Sequence, residues 1–155
     1  MIQRTQSVYL LLVAVLMSFM LIRPYAEFDL ADGQKLAFRS HAIVYNDGAE
    51  NPTYQSTIPI TVLVVIVGLL SFINIFLFSS RIRQLRICLI NVVFLLSLLI
   101  VIFYYYSSAK HSFAITFHSF QIPAIFPLVS VIFTILAYWN IHKDELLVNS
   151  YNRIR

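Results

Sequence analysis

The sequence predicts an all-α membrane protein: a four-helix transmembrane bundle, N-in and C-in, with a small extracytoplasmic β-sheet. Three observations carry that expectation. Four long stretches contain no Lys, Arg, Asp or Glu. Charged residues make up only 12% of the chain against 59% hydrophobic, where soluble domains run near about a quarter charged. The basic residues divide unevenly between the segments that separate the four stretches. A mean hydropathy of +0.80 fits a chain that uses lipid as solvent. Residues 1–155 read as a single integral membrane domain, with no internal repeat or low-complexity tract.

The first stretch, Ser7–Ile22, follows a charged start, Met-Ile-Gln-Arg. It is a little short against the roughly 17–25 residues that span a bilayer, but Gln6 and Tyr25 can sit in the headgroup zone. A cleaved signal peptide is the competing reading. "RPYAEF" follows the stretch, with no A-x-A-like site, which favours a retained span. The second, third and fourth stretches, Ile58–Ser79, Ile87–Tyr106 and Ile122–Ile141, have full spanning length. Pro123 and Pro127 fall in the first turns of the fourth, where proline is tolerated.

Four spans put both termini on one side. That side holds Arg4, Arg81, Arg83, Arg86, Lys143, Arg153 and Arg155. The other holds Arg23, Lys35, Arg39 and Lys110. The positive-inside rule therefore assigns both termini, the inner turn 80–86 and the tail 142–155 to the cytoplasm. Tyr104, Tyr105, Tyr106, Tyr138 and Trp139 fall at span ends, as an aromatic belt does. Lys143-Asp144-Glu145-Leu146 spells an endoplasmic-reticulum retrieval signal, which is read only at a luminal C-terminus. Here it is internal and cytoplasmic, so it reads as the first polar turn after span four. Asp144 and Glu145 there face Arg81, Arg83 and Arg86 as possible ion-pair partners. The tail, with Leu147, Tyr151 and Ile154 at helical spacing, either continues span four or lies along the inner interface.

The outer loops, 23–57 and 107–121, carry strand signals. Asp32-Gly33 and Asp47-Gly48 interrupt β-favouring runs in the first loop, a hairpin signature. "SFAITF" at 112–117 alternates, and "FHSF" extends it. Three short strands from loop one and one from loop two are expected.

Between helices, small residues and polar pairs are the adhesive in lipid. Pro123, Pro127, Ser130, Thr134 and Ala137 lie on one face of span four. Ser7, Ala14 and Ser18 lie on one face of span one. Spans one and four are expected to pack antiparallel through these stripes. Asn74 and Asn91 fall at matched depth in the hairpin of spans two and three. An unpaired amide in hydrocarbon costs several kcal/mol, so an Asn74–Asn91 hydrogen bond is expected. A polar pocket lined by both is the functional alternative.

Chemistry is sparse. Cys88 alone can form no intramolecular disulfide. His41, His111, His118 and His142 lack zinc-site spacing. No phosphate loop, nucleophile elbow or H-E-x-x-H motif occurs. No Asp, Glu, Lys, Arg or His lies in the core of a span, where proton relays and ion-coupled sites place them. The reading is thus not an enzyme, with no cofactor, no metal and no nucleic-acid partner.

The start, "MIQRTQSVYL", and the finish, "IHKDELLVNSYNRIR", resemble a bacterial family of small integral membrane proteins classed as a domain of unknown function. Its members are similar in reading MIQR-x-Q-x-x-Y-L and KDE-x-LV-x-S-x-x-R-x-R, with four spans between. The resemblance implies a bacterial inner (plasma) membrane and a retained first span. It supplies no catalytic residues. Arg4, Lys143, Asp144, Glu145, Arg153 and Arg155 then form a candidate cytoplasmic docking patch, against the simpler reading of anchoring and helix capping. The leading function is a non-enzymatic accessory or scaffold subunit of an inner-membrane assembly, with the lipid bilayer and a membrane protein as partners. The alternative is a small transporter or lipid-handling protein, which calls for a cavity lined by Asn74, Asn91, Ser97 and Thr134.

Overall fold

Buried positions recur along each long segment at alternating steps of four and three residues, and this recurrence decides how the helices meet. The computed structural model describes residues 3–30, 35–45, 53–77, 80–112 and 115–153. Its helices are α1 (Gln3–Ile22), α2 (Ile58–Phe76), α3 (Arg81–Ser112) and α4 (Phe126–Arg153). A 3-10 turn, Ile122–Ile125, leads into α4. All four helices are long and apolar enough to cross a membrane. Gln6, Leu10, Val13, Met17 and Met20 are the buried row of α1. Ile60, Val64, Val67, Ser71 and Asn74 are that of α2. Gln84, Cys88, Asn91, Leu95 and Leu98 follow on α3, and Ser130, Thr134, Ala137, Ile141 and Asp144 on α4. A 4-3 repeat averages 3.5 residues, the period of left-handed bundle packing. Each helix packs on the next in sequence, and α4 closes the ring against α1. The opposite faces are apolar and exposed, with Val8, Val15, Phe19, Val62, Leu69 and Phe72 among them.

The α1–α4 contact expected from sequence forms, but its two sides differ in character. The small-residue face of α4 is buried, Pro127 included, and so is Pro123 in the 3-10 turn before it. On α1 the small residues stay outside the seam: Ser18 is exposed, and Ser7 and Ala14 are half-buried. Bulky Leu10, Val13 and Met17 take the seam because small residues on α4 leave room for large ones opposite.

Helix ends depart from the apolar stretches. The helix α3 begins at Arg81, inside the segment expected to be a turn, and α4 runs on to Arg153. Apolarity marks the depth of a slab, while Arg, Gln, Leu and Lys sustain a helix beyond it. The 32 residues of α3 reach about 48 Å at 1.5 Å per residue. The 20 residues of α1 reach about 30 Å by the same rise.

The sheet fills the step between those lengths. It is antiparallel and five-stranded, in the order β4-β3-β2-β1-β5. The first loop supplies four strands, one more than expected: β1 (Ala26–Leu30), β2 (Lys35–Phe38), β3 (Ala42–Tyr45) and β4 (Thr53–Ser56). The second supplies β5 (Ile115–Phe120). Both Asp-Gly steps lie outside the described residues, each between a pair of antiparallel strands. Phe28 pairs with Leu36, and Ala26 with Phe38; all four are buried in one core with Ile60, Val64, Leu98 and Ala109. The sheet is therefore part of the bundle core. Tyr106 on α3 stacks on Phe120 at 5.2 Å between centroids and meets Phe28 at 5.5 Å.

The β2–β3 corner is tied to the helices by hydroxyls. Thr57 Oγ1 and Thr61 Oγ1 donate to the Ser40 carbonyl at 2.9 and 2.7 Å. Ser40 Oγ donates to the Leu21 carbonyl at the end of α1, at 3.5 Å. Burial pushes the Tyr25 phenol well above its ordinary range; nearby Ser40 opposes this weakly without an aligned hydrogen bond to the phenol oxygen.

Phe28→Ala is expected to cost about 3–5 kcal/mol, as buried Phe truncations do. Ser119→Ala, on the exposed side of β5, should stay within about 0.5 kcal/mol. Thermal unfolding of the detergent-purified protein compares them, and equal Tm values would contradict the shared core.

Candidate functional site

Apart from Ser130 and Thr134 on α4, the polar residues on the buried rows gather in the half of the bundle away from the sheet. The α2–α3 hairpin fixes most of them. Asn74 Nδ2 donates to the Gln84 carbonyl at 3.4 Å and to Cys88 Sγ at 3.1 Å. Gln84 Nε2 donates back to the Asn74 carbonyl at 3.0 Å. Asn91 Nδ2 donates to Ser71 Oγ at 2.8 Å. All five residues are buried.

The expected Asn74–Asn91 bond is therefore absent, and the reason is register. The hairpin sets Ser71 against Asn91 and Asn74 against Gln84 and Cys88, so the two amides are offset by one turn. Each found a partner already present at its own depth.

Beyond this hairpin the row continues on the other two helices. Leu10, Cys88, Ala137 and Ile141 pack together as one apolar cluster. One step farther from the sheet come Gln6 on α1, Gln84 on α3 and Asp144 on α4, all buried. Asn74 joins them through Gln84. Above the cluster, Thr134 Oγ1 is spent on the Ser130 carbonyl at 2.7 Å. Gln6 Oε1, Asn74 Oδ1, Gln84 Oε1, Asn91 Oδ1 and Ser130 Oγ meet no donor.

The candidate docking patch is only partly assembled. Lys143 is exposed, Glu145 is half-buried and Asp144 turns inward. Arg4 and Arg153 lie in α1 and α4, at the same end of the bundle; their side chains, and Arg155 altogether, lie outside the described residues. The anticipated ion pairs with the 80–86 segment do not form. Arg81 Nη1 instead donates to the main-chain carbonyl of Asp144 at 2.6 Å, and Arg83 Nε to Ser80 Oγ at 2.5 Å. Among the described residues the sole ion pair is Lys35–Asp29, at 3.9 Å on the sheet. The Asp144 carbonyl lies within α4 and accepts the guanidinium through the second lone pair that a helical carbonyl keeps. Gln84 is not singled out by the sequence, and Gln6 reads there as a flank of span one in the headgroup zone, not as part of a buried row. Their 4-3 spacing from Leu10 and Cys88 was the available signal.

Of the aromatic belt, Tyr104 and Trp139 are exposed, Tyr105 and Tyr106 pack against the core, and Tyr138 stacks on His142 at 6.0 Å. Among the described residues no three His, Cys, Asp or Glu side chains come together as a transition-metal site would need.

Recesses open on the lateral surface among the described residues. An open groove of about 300 Å3 runs between α1 and α2 past Ala14, Met17, Ser18, Val64, Gly68 and Phe72. It continues over Leu11, Val15, Phe19 and Ile22 as a neighbouring hollow of about 320 Å3. A Cβ added at Gly68 would meet Met17 Cβ at 3.5 Å, an ordinary contact. A second recess of about 260 Å3 lies under the sheet, between Tyr25, Phe38, Phe103, Tyr106 and Phe120. None of these is lined by Asn74, Asn91, Ser97 or Thr134. Ser97 is not part of the seam: its hydroxyl donates to the Val93 carbonyl at 2.9 Å.

These features define a multi-pass membrane protein: four apolar helices around a half-polar seam, closed at one end by a small antiparallel sheet. The chain belongs to the family described as Domain of unknown function (DUF4293), whose model matches residues 2–154. A search of curated proteins found no match.

A double-mutant cycle on Ser71→Ala and Asn91→Ala should return a coupling of about 0.6 kcal/mol and at most about 1.7, the range of hydrogen bonds between membrane helices. The same cycle on Asn74→Ala and Asn91→Ala should return a smaller value. The reverse order would contradict the register given above.

Proposed function

We propose that this chain is a non-enzymatic accessory or scaffold subunit of a bacterial inner-membrane assembly, with both termini in the cytoplasm. The carrying observation is the groove between α1 and α2. Its floor is small or apolar (Ala14, Ser18, Gly68), and small residues let a further helix approach closely. Its one hydroxyl is already spent, with Ser18 Oγ donating to the Ala14 carbonyl at 2.9 Å. The groove therefore suits a packed apolar helix better than a polar solute. The orientation rests on the cationic excess at the end that holds the termini.

The test is isolation of the tagged chain from its own membranes in native nanodiscs, with a photo-crosslinker at Ser18. One stoichiometric membrane partner is expected, crosslinked at Ser18 and lost in Gly68→Leu, which fills the groove. Retention of that partner in Gly68→Leu, or its absence from the wild type, contradicts the proposal. Orientation is read with single cysteines at exposed Lys143 and Lys35 in a Cys88→Ala background. An impermeant maleimide added outside intact cells should label Lys35→Cys and spare Lys143→Cys.

A second reading, a lipid-handling protein, draws on the recess under the sheet. Its lining is almost wholly apolar and aromatic, and Phe103 and Phe120 stand exposed at its rim. One lipid species retained through purification and lost in Ala124→Phe would favour it.

A further inference from the structure

We propose that the buried layer farthest from the sheet binds a monovalent alkali cation. The layer comprises Gln6, Asn74, Gln84 and Asp144, with Arg81 at its mouth. Its unmet demand is one-sided: Gln6 Oε1, Asn74 Oδ1 and Gln84 Oε1 all lack a protein donor. Rotating the Asn74 or Gln84 amide offers no remedy. Asn74 Nδ2 and Gln84 Nε2 already hold the Gln84 and Asn74 carbonyls, so a flip would strand a donor to satisfy an acceptor. A buried acceptor left unmet costs about 1–3 kcal/mol, and three at one depth call for a shared partner.

The chemistry of that partner follows from the donor set. The ligands are hard oxygens, which select alkali and alkaline-earth ions over metals that favour imidazole or thiolate. Asp144 is the sole charged side chain on the buried rows among the described residues. With one negative charge from Asp144 and one positive charge already at the mouth on half-buried Arg81, a monovalent ion adds less uncompensated positive charge than a divalent one. Arg81 does not already fill this role. It grips the main-chain carbonyl of Asp144, and no ion pair to the carboxylate forms. The inference stands apart from the accessory-subunit reading, because it concerns the isolated chain and a different face.

The test is equilibrium binding of 22Na+ and of 86Rb+ to the detergent-purified full chain in choline chloride. Saturable binding of one ion per chain is expected for at least one of the two. Asp144→Asn and Gln84→Leu should each weaken it by about tenfold or more. The ion should raise Tm in the wild type and leave Asp144→Asn unmoved. If Gln84→Leu does not fold, the isosteric Asp144→Asn decides. No saturable binding of either ion overturns the proposal and leaves water as the partner of these oxygens. Binding unchanged in Asp144→Asn overturns it equally.

Discussion

The step of four and three residues shared by the four buried rows fixes the depth at which each side chain meets its neighbours. In lipid this matters more than in water. Helix–helix association there gains little from hydrophobic burial and depends on close packing and polar contacts. An apolar row alone tolerates a slip of one heptad. Asn74 and Asn91 do not, because each is matched to acceptors at one depth only. Moving α2 by one turn against α3 would break all of these contacts, and a polar group left without a partner in the interior costs several kcal/mol. The device is the one by which a single buried asparagine sets the register of a coiled coil.

That register divides the molecule into two unlike ends. Near the sheet, Val64, Leu98 and Phe28 belong to one continuous apolar core. At the opposite end the same rows become Gln6, Gln84 and Asp144. Helix length is divided in parallel. The helix α3 outruns α1 beside the sheet and offers Tyr106 and Ala109 as a wall for β1 and β5 to pack on. Thr57 and Ser40 join the sheet corner to α2 and α1 at the point where the short helices stop.

Much of this was legible in the sequence, and what was not has physical causes. The four spans announce themselves because charge is excluded from them altogether. Their helical ends do not, since Arg81 to Arg86 and Lys143 to Arg153 are as competent in a helix as the apolar residues beside them. The strand β4, Thr-Tyr-Gln-Ser, is short and half polar, and gives no alternation to read; it exists because β3 offers it an edge. The partners of Asn74 and Asn91 were hidden by one turn of offset, which hairpin length does not reveal. On α1 the small residues attracted notice, but small residues already line α4, and a second row of them would leave the seam empty. Gln6 and Gln84 stood in the 4-3 pattern throughout. Gln6 reads as the flank of span one and Gln84 goes unnamed, because a polar residue at a span boundary reads as the edge of the slab.

The strand order has a bearing on how the chain is made. The first strand, β1, lies between β2 and β5. Its partner β2 arrives a few residues later, but β5 follows only after α2 and the whole of α3. Throughout that interval one edge of β1 is open, with main-chain donors and acceptors facing outward. The arrival of Ile115–Phe120 closes it and stitches the first half of the chain to the second. Until β5 pairs, that edge of β1 is available to other strands; once it pairs, the edge is covered.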